Sequence, residues 1–326
     1  MKDITQIKRI GIAGAGTMGY SMAEIFAAFG YEVLLFDISV EQVTKAQDFI
    51  RINREVEVEQ NRLTAEESSE LIQRIKFTTE MELLAHVDFI VEAIVENIDI
   101  KLSFWSQLSR IVPEDIVLVS NTSGLSITKL ATAVEKPERF LGMHWINPPH
   151  IIRLIEVIKG EKTSDENAKI VIDLAESVEK KAVAVNDAPG FVLNRIQFAV
   201  MREALHILEA GIADEAGIDA VMKYGLGIRY ASLGPFEVAD FGGLDIFHNI
   251  SEYLFADLSN AERDFGKMKE LFEAGHLGVK TGKGFYDYSD GKVEEVIRQR
   301  NINYERVAEA LYDRLDQSEK MNEGSE

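Results

Sequence analysis

From Lys8 to about Asn186 short apolar runs alternate with longer stretches of helical periodicity, the pattern of strands joined by crossover helices in a parallel sheet. The runs fall at 9–13, 32–36, 87–93, 116–120, 140–144, 152–158 and 182–185, and helices fill the gaps. After residue 187 the period changes. Leu193, Ile196, Val200, Ala204, Ile207 and Leu208 recur at helical spacing, with Val192, Ala199 and Met201 on other faces, so this helix wants burial nearly all round. Gly211 stands where a C-terminal cap belongs. Segments 219–223, 236–240, 244–258 and 263–273 also read as helices. A further amphipathic helix spans 293–316 with Val296, Tyr304, Val307, Leu311 and Leu315, before a frayed tail at 321–326. The pattern predicts an α/β domain over 1–186 with a mostly parallel sheet, then a mostly α-helical domain over 187–326.

Length and charge narrow the function. At 326 residues the chain has room for two cores, and 46% hydrophobic with 28% charged residues is ordinary globular composition. With 35 basic against 55 acidic residues the net charge is −20, and no basic cluster offsets it, so nucleic acid is disfavoured as a partner. The absence of cysteine rules out disulfides, zinc thiolates and iron–sulfur clusters, and no metal is expected. Apolar runs are cut by charge, as Glu92 cuts the run from Phe89 to Val95, so no membrane span is expected. The run from Ile10 to Ala15 is too short and Gly-rich for a signal peptide, and the expected location is cytoplasmic.

Gly14-Ala-Gly16-Thr17-Met18-Gly19 follows the first strand and opens a helix with an apolar face, and the second strand ends at Asp37. Alone a GxGxxG run is weak, but this context makes it a dinucleotide fingerprint and the first domain Rossmann-type. Gly14 and Gly16 let backbone approach a pyrophosphate, the helix start offers N–H groups, and Gly19 allows close helix–strand packing. Asp37 can accept the hydroxyls of an adenosine ribose. Ile38 and Ser39 follow it with no Arg for a 2′-phosphate, so NAD is preferred over NADP.

His144 closes an apolar strand, and Glu156 is the one carboxylate in the run that returns after Pro148 and Pro149. If the two strands pair antiparallel about 149–151, positions summing to 300 face each other and Glu156 meets the His144 ring. A buried carboxylate fixes the imidazole tautomer and stabilises the imidazolium, which suits a general base for hydroxyl oxidation. Ser123 leaves the strand 116–120 at the sheet edge where open α/β folds place ligands, and either bonds a substrate oxygen or serves ordinary turn chemistry. Asn194 lies in the first turns of the long apolar helix, either meeting a ligand or satisfied within the fold.

The order and spacing of these residues, with Val91-Glu-Ala-Ile-Val-Glu96, Lys101, Asn147-Pro148, Pro189-Gly-Phe-Val-Leu-Asn-Arg195, Gly234-Pro-Phe-Glu237 and Lys280-Thr-Gly-Lys-Gly-Phe-Tyr286, resemble the 3-hydroxyacyl-CoA dehydrogenase family from about Lys8 to Tyr288. The resemblance implies His144 as catalytic base, Glu156 as its charge partner, and Ser123 and Asn194 as positioning groups for the substrate oxygen. It implies Glu96, Lys101, Asn147 and Lys280 as further cofactor contacts, and a helical second domain that forms a homodimer and closes over the cofactor. The implied reaction belongs to fatty acid metabolism: hydride passes reversibly from the 3-carbon of a short-chain L-3-hydroxyacyl-CoA to the nicotinamide while His144 takes the hydroxyl proton.

Two departures bear on the substrate. Where acyl-CoA enzymes carry a Lys-rich segment after the second strand, this chain has Arg54-Glu-Val-Glu-Val-Glu-Gln-Asn-Arg62, with three carboxylates. Gly124 replaces a second Ser. The stretch from Pro189 to Glu237, with Gly225-Leu-Gly-Ile-Arg229, also resembles the λ-crystallin/L-gulonate 3-dehydrogenase branch, whose substrates are free hydroxy acids. There Arg229 either offers a guanidinium fork to a substrate carboxylate or is a surface residue paired with an acid. Three readings therefore stand: an acyl-CoA dehydrogenase, a dehydrogenase of a free 3-hydroxy acid, and an NAD-binding structural or sensory protein without turnover. Retention of both His144 and Glu156 counts against the third.

Overall fold

A computed structural model describes residues 3–289 and 291–323 and, in the last helix, side chains up to Tyr312. The chain divides into two units, Met1–Arg195 and Ile196–Glu326. The first is built on an eight-stranded sheet of β1 Arg9–Ala13, β2 Glu32–Phe36, β3 Ile75–Thr78, β4 Phe89–Glu92, β5 Val117–Ser120, β6 Phe140–Trp145, β7 Leu154–Lys159 and β8 Lys181–Asn186. Their order across the sheet is β3-β2-β1-β4-β5-β6-β7-β8. β1 to β6 are parallel, β7 runs antiparallel to β6, and β8 parallel to β7. Helices α1 Thr17–Ala28, α2 Val40–Glu59, α3 Ala65–Gln73, α4 Ile98–Ile111, α5 Ile127–Ala131 and α6 Asp165–Ser177 connect the strands.

The central strands are buried along their whole length because helices cover both faces, which is why they read as unbroken apolar runs. Alternate side chains feed two cores: Phe89, Val91, Val119 and Met143 join Met22 and Phe26 on one face, while Ile90, Leu118 and Phe140 join Trp105 on the other. The predicted strands all form, with ends shifted by up to two residues. β3 was not expected. It is four residues at the sheet margin with one buried side chain, too little alternation to register as a pattern.

The second unit is helical. α7 Leu193–Glu209, whose first turn belongs to the first unit, is followed by α8 Glu215–Val221, a π turn over Met222–Leu226, α9 Gly227–Ser232, α10 Pro235–Gly242, α11 Leu244–Leu254, α12 Gly266–Glu273 and α13 Lys292–Glu323. Gly211 adopts φ +68° and caps α7 as expected, its N–H donating to the Leu208 carbonyl. The helix expected at 244–258 ends at Leu254, the one at 263–273 begins at Gly266, and 219–223 falls across the end of α8 and the π turn. The tail expected at 321–326 is helical up to Glu323; residues 324–326, and the side chain of Leu315, lie outside the described residues. The chain by itself does not bury α7 all round. Leu205 is its one buried residue, and Ile196 and Phe198 stay 54% and 63% exposed. No helix among the described residues is long and apolar enough to cross a membrane.

Candidate active site

The carboxyl ends of the parallel strands bring several of the candidate residues together. β1 runs into Gly14, whose φ of +106° and close approach to Ala93 admit no side chain: a Cβ there would sit 2.5 Å from the Ala93 carbonyl oxygen. Gly19 packs α1 onto the same turn, where a Cβ would fall 1.7 Å from the Gly14 carbonyl oxygen. Gly16, the N-cap of α1, differs: no atom lies within 4 Å of the place a Cβ would take, and no side chain caps the helix. The first-turn N–H groups of α1 thus have no side-chain acceptor, and the positive end of the helix dipole stands behind them. Asp37, just past β2, accepts the N–H groups of Ala15 and Ser39, each at 2.9 Å. Two of its roughly four lone-pair directions stay available. An uncapped helix start, a glycine with room before it and a half-satisfied carboxylate at the second strand fit the pyrophosphate and ribose of NAD.

A polar network lies beneath this edge: Glu96, Lys101 and Ser123 in it are expected site residues, while Glu92 registers in the sequence as a charge interrupting an apolar run. Glu92, fully buried at the end of β4, takes an ion pair from Lys101 of α4, a 2.7 Å hydrogen bond from the Ser120 hydroxyl and a 2.9 Å bond from the Ile94 N–H. A carboxylate inside a central strand must be paired, and that rule could have flagged it. Lys101 is 1% exposed and reaches Glu96 at 3.4 Å. Glu96 in turn accepts the Thr122 hydroxyl at 2.6 Å and the Ser123 N–H at 2.9 Å. The structure therefore sets Lys101 beneath Glu96, and Glu96 holds the loop that carries Ser123.

β6 and β7 pair with His144 opposite Glu156, the register in which facing positions sum to 300. The His144 Nδ1 lies 2.9 Å from Glu156 Oε2, and Glu156 Oε1 accepts the Val192 and Leu193 N–H groups at 2.9 Å each. Burial pushes the Glu156 carboxyl up, but the bonds from His144, Leu193 and Val192 outweigh it and hold the group below its ordinary value. An ionised carboxylate only accepts, so the bridging proton belongs on Nδ1 and the Nε2 lone pair is free for other work. Phe191 packs on the ring with centroids 5.7 Å apart. Ser123 is exposed, and its carbonyl accepts the Asn194 side-chain N–H at 2.7 Å, so these two candidates meet. Asn147 is exposed in the turn beyond β6 and follows Trp145, whose N–H is held by Asn121 Oδ1 at 2.8 Å. The remaining candidates, Lys280 and Arg229, belong to the second unit, and both are exposed.

Residues 9–188 match the family model described as 3-hydroxyacyl-CoA dehydrogenase, NAD binding domain, and 190–288 match the one described as 3-hydroxyacyl-CoA dehydrogenase, C-terminal domain. A Bacillus subtilis protein named probable 3-hydroxybutyryl-CoA dehydrogenase is 38% identical over 286 residues, covering 87% of this chain and 99% of that one. The 5-formyl-3-hydroxy-2-methylpyridine 4-carboxylate 5-dehydrogenase of Mesorhizobium japonicum is 34% identical over 90% of this chain and 95% of its own. A solved structure of an enzyme of that name, described as an NAD+-dependent dismutase, superposes with a TM-score of 0.86 at 33% identity over 94% of this chain and 99% of that one. The (S)-3-hydroxybutyryl-CoA dehydrogenase of Ralstonia eutropha superposes with a TM-score of 0.74 at 37% identity, covering 87% of this chain and all of the other. The chain belongs to the 3-hydroxyacyl-CoA dehydrogenase family of NAD-dependent oxidoreductases that act on a CH–OH group.

Proposed function

We propose that this protein interconverts an L-3-hydroxyacyl-CoA and its 3-oxo form, with His144 as the general acid and base. The observation that carries the reading is the 2.9 Å contact between His144 Nδ1 and an ionised Glu156, which leaves Nε2 to take the proton of a substrate hydroxyl. NAD, when bound, supplies the acceptor for the hydride that leaves the 3-carbon. As the C–H electron pair departs, the O–H pair forms the carbonyl and the hydroxyl proton passes to Nε2; Glu156 stabilises the imidazolium. Ser123 and Asn194, joined through the Ser123 carbonyl, orient the substrate oxygen. Gly14, Gly16, Thr17, Met18, Gly19 and Asp37 bind the dinucleotide, and Glu96, steadied by Lys101, lines the same edge with Asn147; Lys280 is assigned as a further contact.

A homodimer in the cytoplasm completes the proposal. The support for the dimer is that Leu205 is the one buried residue among the described residues of the second unit, while Phe236, Phe241 and Phe255 stand 72–86% exposed.

A second reading, a dehydrogenase of a free hydroxy acid with Arg229 as carboxylate anchor, is favoured by α2. Both arginines of the acidic stretch are engaged, Arg54 by the buried Glu24 at 3.1 Å and Arg62, just past α2, by Glu57 at 3.4 Å, and Glu55, Glu57 and Glu59 lie between them in the sequence. That surface offers little to CoA phosphates, and the pyridine-carboxylate enzyme named above is a relative of similar length. Reduction by NADH of acetoacetyl-CoA against acetoacetate decides between the two. A large preference for the thioester upholds the first reading, and equal or better use of the free acid replaces it with the second.

A further inference from the structure

Lys180 stands between the end of α6 and β8, and its side chain is 8% exposed. Its ammonium donates to the Pro149 carbonyl at 2.5 Å and the Ile152 carbonyl at 3.2 Å, and lies 5.5 Å over the indole of Trp145. Trp145 ends β6, one residue after His144, and Pro149 and Ile152 lie in the turn that returns as β7 toward Glu156. Within the turn the Ile151 and Ile152 N–H groups donate to the Pro148 carbonyl, and the Lys181 N–H donates to the Arg153 carbonyl at its end. Asn121 ties its start from the β5 side, and Lys180 ties its crown and its return. Burying an ammonium costs free energy that its contacts with two carbonyls and an aromatic face must offset.

We propose that Lys180 is a positioning residue for the reaction: its ammonium clamps the 146–153 turn and thereby keeps the His144 imidazole and Asn147 in their working places. The proposal rests on the reading of His144 as base, and it gives Lys180 no contact with substrate. Charged groups that face it are Arg153, from the turn, and Glu179 beside it. Burial and the Arg153 charge push the ammonium down to about 8 against the pull of Glu179, so the clamp opens electrically within a range where the protein can be assayed.

Two readouts test it, one independent of turnover. In a Trp105→Phe background, where Trp145 is the one tryptophan, emission followed from pH 6 to 10 should titrate near pH 8 with Lys180 in place, stay flat in Lys180→Met, and lose that midpoint in Lys180→Arg, which keeps its charge. With saturating substrate, kcat should fall about 10- to 100-fold in Lys180→Met with the KM for NAD little changed, as expected when reacting groups shift by about 1 Å. The wild-type rate should fall above about pH 8 as the ammonium is lost, and Lys180→Arg should restore most of the rate and abolish that fall. Wild-type rate and pH profile in Lys180→Met, or emission that does not titrate with Lys180 in place, overturns the proposal. Should Lys180→Met fail to fold, the Trp105→Phe protein with and without Lys180→Arg decides by the same emission midpoint. A fully active His144→Gln with an intact emission titration would overturn the base instead and leave the clamp standing.

Discussion

Glu156 has to remain ionised out of water, and three donors make that the lower-energy state. Because its folded pKa lies below the ordinary 4.5, its share of stability is complete above that value and is lost as pH falls through the folded one. Glu156→Gln should therefore flatten the acid limb of the stability curve below pH 4.5, read by urea denaturation at stepped pH; an unchanged limb would place the proton elsewhere. His144→Gln should bind NAD as the wild type does and lose about 10²–10⁴ in turnover, the span of general acid–base catalysis. A variant that keeps its rate takes His144 out of the mechanism. This pair was legible in the sequence because strand pairing is arithmetic: once β6 and β7 turn back near 150, residue 144 has to meet 156. Lys101 and Lys180 were not legible as buried groups, because a lysine in a helix or beside another lysine looks like solvent-facing charge until its tertiary surroundings are known.

At the scale of elements, the junction of β1 and α1 separates what glycine does for folding from what it does for binding. Gly19→Ala pushes a methyl into the Gly14 carbonyl, so α1 must move; a loss of about 1–3 kcal/mol or more is expected together with loss of NAD binding. Gly16→Ala meets nothing within the protein and has ordinary backbone angles, so its melting temperature should stay near wild type while NAD affinity falls. Calorimetric melting and NAD titration of the two variants check this, and a Gly16→Ala that binds NAD normally would move the pyrophosphate away from α1. Most elements were readable from period alone, since fully covered strands and amphipathic helices obey simple spacing. β3 and the π turn at Met222–Leu226 escaped because each is set by its neighbours rather than by its own residues.

For the whole molecule, the large apolar side chains left open on the second unit, Phe236, Phe241 and Phe255 at 72–86% exposed, are what the proposed homodimer would cover. A melting temperature that rises with protein concentration and a sedimentation mass of two chains are expected, and Phe241→Glu, at a position 82% exposed, should shift the protein to monomer. A wild type that sediments as one chain at micromolar concentration rules out the dimer. Parallel β1 to β6 bring Gly14, Asp37, Ser123 and His144 to one rim of the sheet, while the chain enters β1 at the opposite rim. Tethered to a bead through the segment before Arg9, the enzyme should keep its working side toward the solution and go on turning over.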